Sequence, residues 1–255
     1  MEQHSFLRNL SAHEQQRLLQ LSTHFLLEKE FHGAHGLEIT DVMALTVAAQ
    51  ACLPLLHMRP PSGFHTDDPL KTLDWYDDFV GIVLQPGAAL ARRQRADGVG
   101  VVHQYNEALA GEAMDRGPVM LSWEDVTRAP HTIHQGSNLV IHEFIHKIDM
   151  RGMSSGDHAD GAPSVVKGLW GFRGEAPARE HWRRTMSEAF AQFREQLAVS
   201  DRFGGEAPWL DAYAGTDPAE FFAVTAEAYF VNRDRFAQAF PSLLSLYDGF
   251  FRAKF

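Results

Sequence analysis

The sequence predicts an α+β fold, predominantly helical, with a small β-sheet surrounded by helices. Segments with apolar residues at helical spacing occupy both ends of the 255-residue chain. Strand-like runs are confined to the middle, between Phe79 and Trp123. Strand and helix do not alternate in repeated units, and no glycine-rich phosphate loop is present, which argues against a doubly wound fold.

Each element has a local reason. Ser11 and Glu14 have capping-box spacing, and Leu18, Leu21 and Phe25 follow at helical intervals, so 11–31 reads as an amphipathic helix. Residues 40–53 read as a second helix, hydrophobic nearly all round. Three prolines and Gly63 make 60–69 a loop. Strands are expected at Phe79–Leu84, Val99–Tyr105 and Pro118–Trp123, the first and third apolar enough to be buried. Ser137 is the expected cap of a helix through about Met150, where Gly152, Gly156 and Gly161 break the pattern. A long amphipathic helix follows over 178–199. Asp217-Pro218 opens another through about Val231, with Asp as N-cap and Pro at the first helical position. Pro241 introduces the last helix, which carries Leu243, Leu244, Leu246 and Phe250. Residues 1–70 are expected as an N-terminal helical region packed on a domain over 71–255, the two forming one continuous globular unit.

Composition narrows the function. Hydrophobic residues at 45% and charged residues at 22% are ordinary globular values. The single cysteine, Cys52, excludes an intramolecular disulfide framework and a cysteine-based zinc finger; it reads as a small buried hydrophobe. A formal charge of −10 with no basic block argues against binding nucleic acid or an anionic membrane. The amino terminus lacks the apolar core of a signal peptide. The longest uncharged stretch, Val42–Met58, falls short of the roughly 20 apolar residues of a membrane span. The expected location is cytoplasmic.

The chemistry lies in His142-Glu143-Phe144-Ile145-His146, an HExxH pattern. On a helix, positions i and i+4 share a face, so both imidazoles reach one ion. Glu143 sits about 100° round the axis from His142, placed to take a proton from a water at the ion's open position. The flanking Leu139, Val140, Ile141 and Ile148 make this helix a buried one, where two imidazoles and a carboxylate are costly unless a metal organises them. A catalytic zinc needs a third protein ligand. Two candidates lie on the helix that Asp217 opens: Glu220, which has a competing reading as a capping residue, and Glu227, which by itself reads as a solvated helix residue. Seven residues put them about 20° apart around the axis and some 10 Å apart along it, so one ion cannot take both. Asp149 is a candidate partner for a ligand imidazole.

The segment HEFIHKID, followed by YxxxxPAEFFA, resembles the Mlc titration factor A family of bacterial zinc peptidases. The pair of segments is also similar to the catalytic part of anthrax lethal factor. Gly111–Trp123 and the Phe240-Pro-Ser-Leu run extend the likeness over most of the chain from about Trp75. The resemblance implies a zincin-like, gluzincin-type metallopeptidase over 71–255, with one zinc per chain held by His142, His146 and Glu220. It implies Glu143 as the catalytic glutamate and Tyr213 as a group assisting at the substrate oxyanion. It further implies aminopeptidase activity on small peptide substrates and binding to the glucose-responsive repressor Mlc. The alternative function is a regulator that sequesters a transcriptional repressor, with a structural or vestigial zinc site.

Other signals are weaker. His131 and His134 precede the motif and read as polar loop histidines, with a place near the site as the alternative. Asp157, His158 and Asp160 read as a solvated cluster in the glycine-rich loop, with a second metal as the alternative. Trp170, Trp182 and Trp209 read as core or pocket wall. Pro118–Trp123 reads either as a core strand or as an edge strand open to an extended peptide.

Overall fold

The computed structural model describes residues 5–63, 68–87, 89–96, 102–109, 111–151 and 159–252. After a single-turn helix α1 (Ser5–Arg8), helix α2 (Ala12–Glu28) starts at the expected capping box. The Ser11 N–H donates to Glu14 Oε2 at 2.8 Å, and the Glu14 N–H donates back to Ser11 Oγ at 3.3 Å. Leu18, Leu21 and Phe25 form the buried stripe. The helix stops short of residue 31, and Glu30–Gly33 become strand β1. The cause is distant in sequence: Lys29 is buried, and its Nζ donates to the carbonyls of Tyr76 at 2.5 Å and Phe79 at 2.7 Å.

Glu14 Oε1 lies 2.8 Å from His57 Nε2, tying α2 to the 3-10 turn Pro54–His57. Burial opposes the Glu14 carboxylate, but the Ser11 donors and His57 outweigh it and lower its pKa to about 2. A carboxyl whose folded pKa is depressed stabilises the fold above its unfolded value and loses that contribution as pH falls through the folded one. Glu14→Gln should therefore cost about 1–2 kcal/mol at pH 7. In denaturant titrations the gap from the unaltered chain should close as pH falls from 4.5 towards 2; a pH-independent gap would contradict this.

Helix α3 (Asp41–Ala51), capped by Thr40, leads into the core, with Cys52 buried just beyond it. Strand β2 (Gly81–Gln85) pairs in parallel with β1, and Ile82 and Leu84 point into the core. A hairpin follows, made of β3 (Ala89–Ala96) and β4 (Val102–Leu109) in antiparallel register. Only the β4 half corresponds to the strand expected at Val99–Tyr105, and Val99–Val101 lie outside the described residues. Strands β5 (Gly111–Ala113) and β6 (Val119–Ser122) complete a four-stranded sheet of order β1-β2-β6-β5, in which β5 alone is antiparallel to its neighbour. Strand β6 pairs on both sides, so the edge reading of Pro118–Trp123 is wrong; β5 forms that edge.

Helix α4 (Trp123–Thr132) continues directly from β6, and α5 (Leu139–Met150) carries the HExxH pattern. Its cap is Asn138 instead of Ser137: the Asn138 side chain accepts the Ile141 N–H at 3.0 Å. Helix α6 (Glu175–Phe203) outruns the expected 178–199 at both ends and stops at Gly204, whose φ of 66° suits glycine. Helix α7 (Pro218–Val231) starts as expected, with Asp217 Oδ1 accepting the N–H groups of Ala219 and Glu220. The chain closes with α8 (Arg233–Ala239) and α9 (Pro241–Phe251). The result is α+β and mostly helical, with α5 packed between the sheet and α7. Phe144 on the buried face of α5 meets Phe25, Tyr76 and Phe79, locking the motif helix to the amino-terminal region.

Candidate metal centre

Two helices build the site. Helix α5 presents His142 and His146 one turn apart, and the first turn of α7 presents Glu220 between them. His142 Nε2 lies 3.2 Å from His146 Nε2 and 3.1 Å from Glu220 Oε2. His146 Nε2 lies 3.4 Å from the same oxygen. Four ligands set tetrahedrally at ~2.0–2.1 Å from zinc lie roughly 3.3 Å from one another. The three atoms thus have the spacing of one face of a zinc tetrahedron. Glu220 Oε2 is buried without a hydrogen bond of proper geometry, an orphaned acceptor that a cation would satisfy. Among the described residues, this is the group of His, Cys, Asp or Glu side chains able to hold a metal ion.

Electrostatics agree with the geometry. Burial works against the Glu220 carboxylate, yet the His142 and His146 imidazoles that face it hold its pKa well below the usual carboxylate range. The capping reading of Glu220 fails, because its Oε1 accepts the Tyr213 hydroxyl at 3.0 Å while Oε2 faces the imidazoles. Phe221 and Phe222, both buried, fix this turn: Phe221 packs on Phe190 and Phe193, and Phe222 on Trp182 and Tyr247. Tyr213 sits in the 3-10 turn Ala212–Gly215, is 37% exposed, and has its ring 6.4 Å from that of His142. Glu143 is 4% exposed on the same helix, and its pKa rises to about 6. Burial is the main cause, with Glu220 and Glu227 adding to it against the two histidines.

Glu227 overturns its sequence reading as a solvated residue. It is 4% exposed, and its Oε1 meets His142 Nδ1 at 2.7 Å. Glu220 and Glu227 therefore address opposite nitrogens of one imidazole, which reconciles their shared helical face with their separation along the axis. Burial opposes the His142 imidazolium, but Glu227 and Glu220 together raise its pKa well above the usual value. Glu227 is held in turn by the Asn138 N–H, which donates to Oε2, while Asn138 Nδ2 donates to Gln50 Oε1 at 2.7 Å. A metal on Nε2 would thus find the ring already oriented, with its Nδ1 proton on Glu227. Glu227→Ala should weaken zinc affinity about 10–100-fold without abolishing it, read by competition with a chromogenic chelator. Unchanged affinity would remove Glu227 from the support of the site.

Asp149, the other expected partner, serves elsewhere. Its Oδ2 accepts the Gly161 N–H at 2.8 Å, and burial is the main cause raising its pKa to about 7. Gly161, at φ +73°, is so close to α7 that an added Cβ would lie 2.4 Å from the Pro218 carbonyl oxygen. Its own carbonyl accepts Trp182 Nε1–H at 2.7 Å, so this glycine seats the loop between α5, α6 and α7. Lys147 is buried and donates from Nζ to the carbonyls of Met114 at 2.5 Å and Gly117 at 2.8 Å, pinning the β5–β6 turn to the motif helix. His134 is exposed, with its carbonyl accepting from Trp209 and Arg235. His131 lies in α4. Asp157 and His158 lie outside the described residues, and Asp160 pairs with Arg183 at 3.7 Å.

The family model for glucose-regulated metallo-peptidase M90 matches residues 1–252. The chain is 32% identical over 248 residues to a Mlc titration factor A of Salmonella arizonae, covering 96% of this chain and 86% of the relative. A Mlc titration factor A of Klebsiella pneumoniae is also 32% identical over 248 residues, covering 96% and 82%.

Proposed function

We infer that this chain, which belongs to the glucose-regulated metallo-peptidase M90 family, is a zinc-dependent peptidase that hydrolyses peptide bonds with a water activated by Glu143. The observation that carries this reading is the face of three ligand atoms, His142 Nε2, His146 Nε2 and Glu220 Oε2, 3.1–3.4 Å apart with Glu143 buried beside them. A bound zinc ion would polarise the scissile carbonyl and lower the pKa of water. The Glu143 carboxylate takes the proton of the attacking water and returns it to the leaving amine, a role suited by a pKa raised towards neutrality. Glu220, His142 and His146 stay fixed during turnover, since Glu227 and the Phe221–Phe222 anchor hold them before substrate arrives.

In the reaction the Tyr213 hydroxyl, which donates to Glu220 Oε1 in the resting site, turns to the developing oxyanion. Tyr213→Phe should lower kcat about 10-fold or more while KM changes little, because such a donor acts chiefly in the transition state. Unchanged kcat with raised KM would make Tyr213 part of the pocket wall.

Aminopeptidase-type substrates are the ones to test first, on the strength of the family. A panel of amino-acid and peptide chromogenic substrates, each with free and acetylated amino termini, tests this: free-amine substrates should be cleaved and blocked ones spared. Equal rates on both would make the enzyme an endopeptidase, and no cleavage of either would refute the peptidase reading. The names of the relatives support a second role, binding of a Mlc-type repressor. The two roles are compatible. A purely structural zinc site would close its fourth position with a protein ligand and would have no use for Glu143.

A further inference from the structure

The four-stranded sheet ends in β5 on one side and β1 on the other. Helix α5, with the metal centre, packs on β5 and β6, so β1 is the edge remote from the chemistry. In the parallel ladder the Glu30 N–H donates to the Val80 carbonyl at 3.0 Å, and the Ala34 N–H to the Leu84 carbonyl at 2.8 Å. The even-numbered residues of β1 thus turn their backbone groups towards β2, and Phe31 and Gly33 turn theirs outward. Among the described residues, no hydrogen bond reaches these outward groups.

An open strand edge is a template for another strand unless proline, a bulge or a covering segment blocks it. Strand β1, Glu30-Phe31-His32-Gly33, contains no proline, and its register with β2 is unbroken. The chain that follows passes beneath the face of β1 that carries Phe31 and position 33. An added Cβ at Gly33 would lie 1.7 Å from the Leu37 carbonyl oxygen, and Phe31 packs, half-buried, on the core. Glu30 and His32 occupy the solvent face, with side chains 71% and 61% exposed. Exposed aliphatic residues stand on the elements either side of the strand, Leu27 near the end of α2 and Val42 at the start of α3.

We propose that a second copy of this chain pairs with β1 about a two-fold axis at Phe31, joining the two four-stranded sheets into one. The strand is self-complementary in this register. Each Phe31 N–H donates to the Phe31 carbonyl of the other copy, and Glu30 falls opposite His32 on both sides of the axis. Acid meets base twice on the solvent face, in the non-hydrogen-bonded positions where facing side chains come closest. Registers one step to either side would set Glu30 against Glu30 or His32 against His32, so the charges select the centred one. A four-residue edge is small, and each copy carries a net charge of −10, so the dimer forms in a concentration-dependent way at moderate salt.

Sedimentation equilibrium of the full chain, from about 1 µM to about 500 µM at about 0.15 M salt, tests this. A reversible monomer–dimer equilibrium is expected. His32→Glu, at an exposed position, should weaken the dimer about tenfold or more, because both acid–base pairs become pairs of like charge. The exchange Glu30→Lys/His32→Glu restores acid opposite base and should recover dimerisation. Hydrolysis per chain should be equal in all three proteins. A chain that stays monomeric throughout the range would overturn the proposal and leave the edge to a partner of different sequence. A dimer that His32→Glu leaves intact, or that the exchange does not recover, would also overturn it and place the contact elsewhere.

Discussion

Glu220→Ala should lose its zinc at chelator concentrations that the unaltered chain survives. The substitution removes one of three atoms able to hold a metal ion, whose mutual distances, 3.1–3.4 Å, match the edge of a zinc tetrahedron. It also leaves His142 and His146 facing a hole in the first turn of α7, with the Tyr213 hydroxyl deprived of its acceptor. Two histidines four residues apart on one helix remain, too few for a catalytic zinc site. The loss should exceed that in Glu227→Ala, which removes the partner of His142 Nδ1 and no ligand. Zinc content after identical dialysis against chelator separates the two. Full retention in Glu220→Ala with depletion in Glu227→Ala would reverse the assignment.

Glu143→Gln should keep its zinc and lose hydrolysis by about 10²–10⁴-fold, the usual contribution of a general base. Glutamine is close to isosteric, so the buried position on α5 keeps its packing, and the change is confined to proton transfer. The environment matters to the size of the effect. Burial, reinforced by Glu220 and Glu227, brings the carboxyl to about 6, so at neutral pH it is ionised yet basic enough to take a proton. Retention of more than a few per cent of the unaltered turnover, with zinc in place, would remove Glu143 from the reaction.

What could be read from the sequence follows the range of the interactions. The HExxH pair, the Ser11–Glu14 box and the Asp217-Pro218 start are settled within four residues, and the structure repeats them. Strand β1 escaped because its formation depends on Lys29 reaching carbonyls 47 and 50 residues away. Strand β5 is three residues long, too short for a periodicity, and its place at the sheet edge is fixed by pairing with β6 and by Lys147. Glu227 was visible as a residue on the same helical face as Glu220. Its partner was not, because only the crossing of α7 over α5 brings its carboxylate to His142 Nδ1. The cap of α5 was misplaced by one residue for a related reason: Asn138 is held by Gln50 and Glu227, both more than 80 residues away.

The most direct measurement of the central claim is hydrolysis followed as zinc is returned to the chelator-stripped chain, with bound metal measured in the same samples. Activity should be absent without zinc, rise in proportion to the ion bound, and level off at one zinc per chain. A stripped chain that cleaves peptides as fast as the loaded one, or a fully loaded chain that cleaves none of the free-amine or blocked substrates, would contradict it.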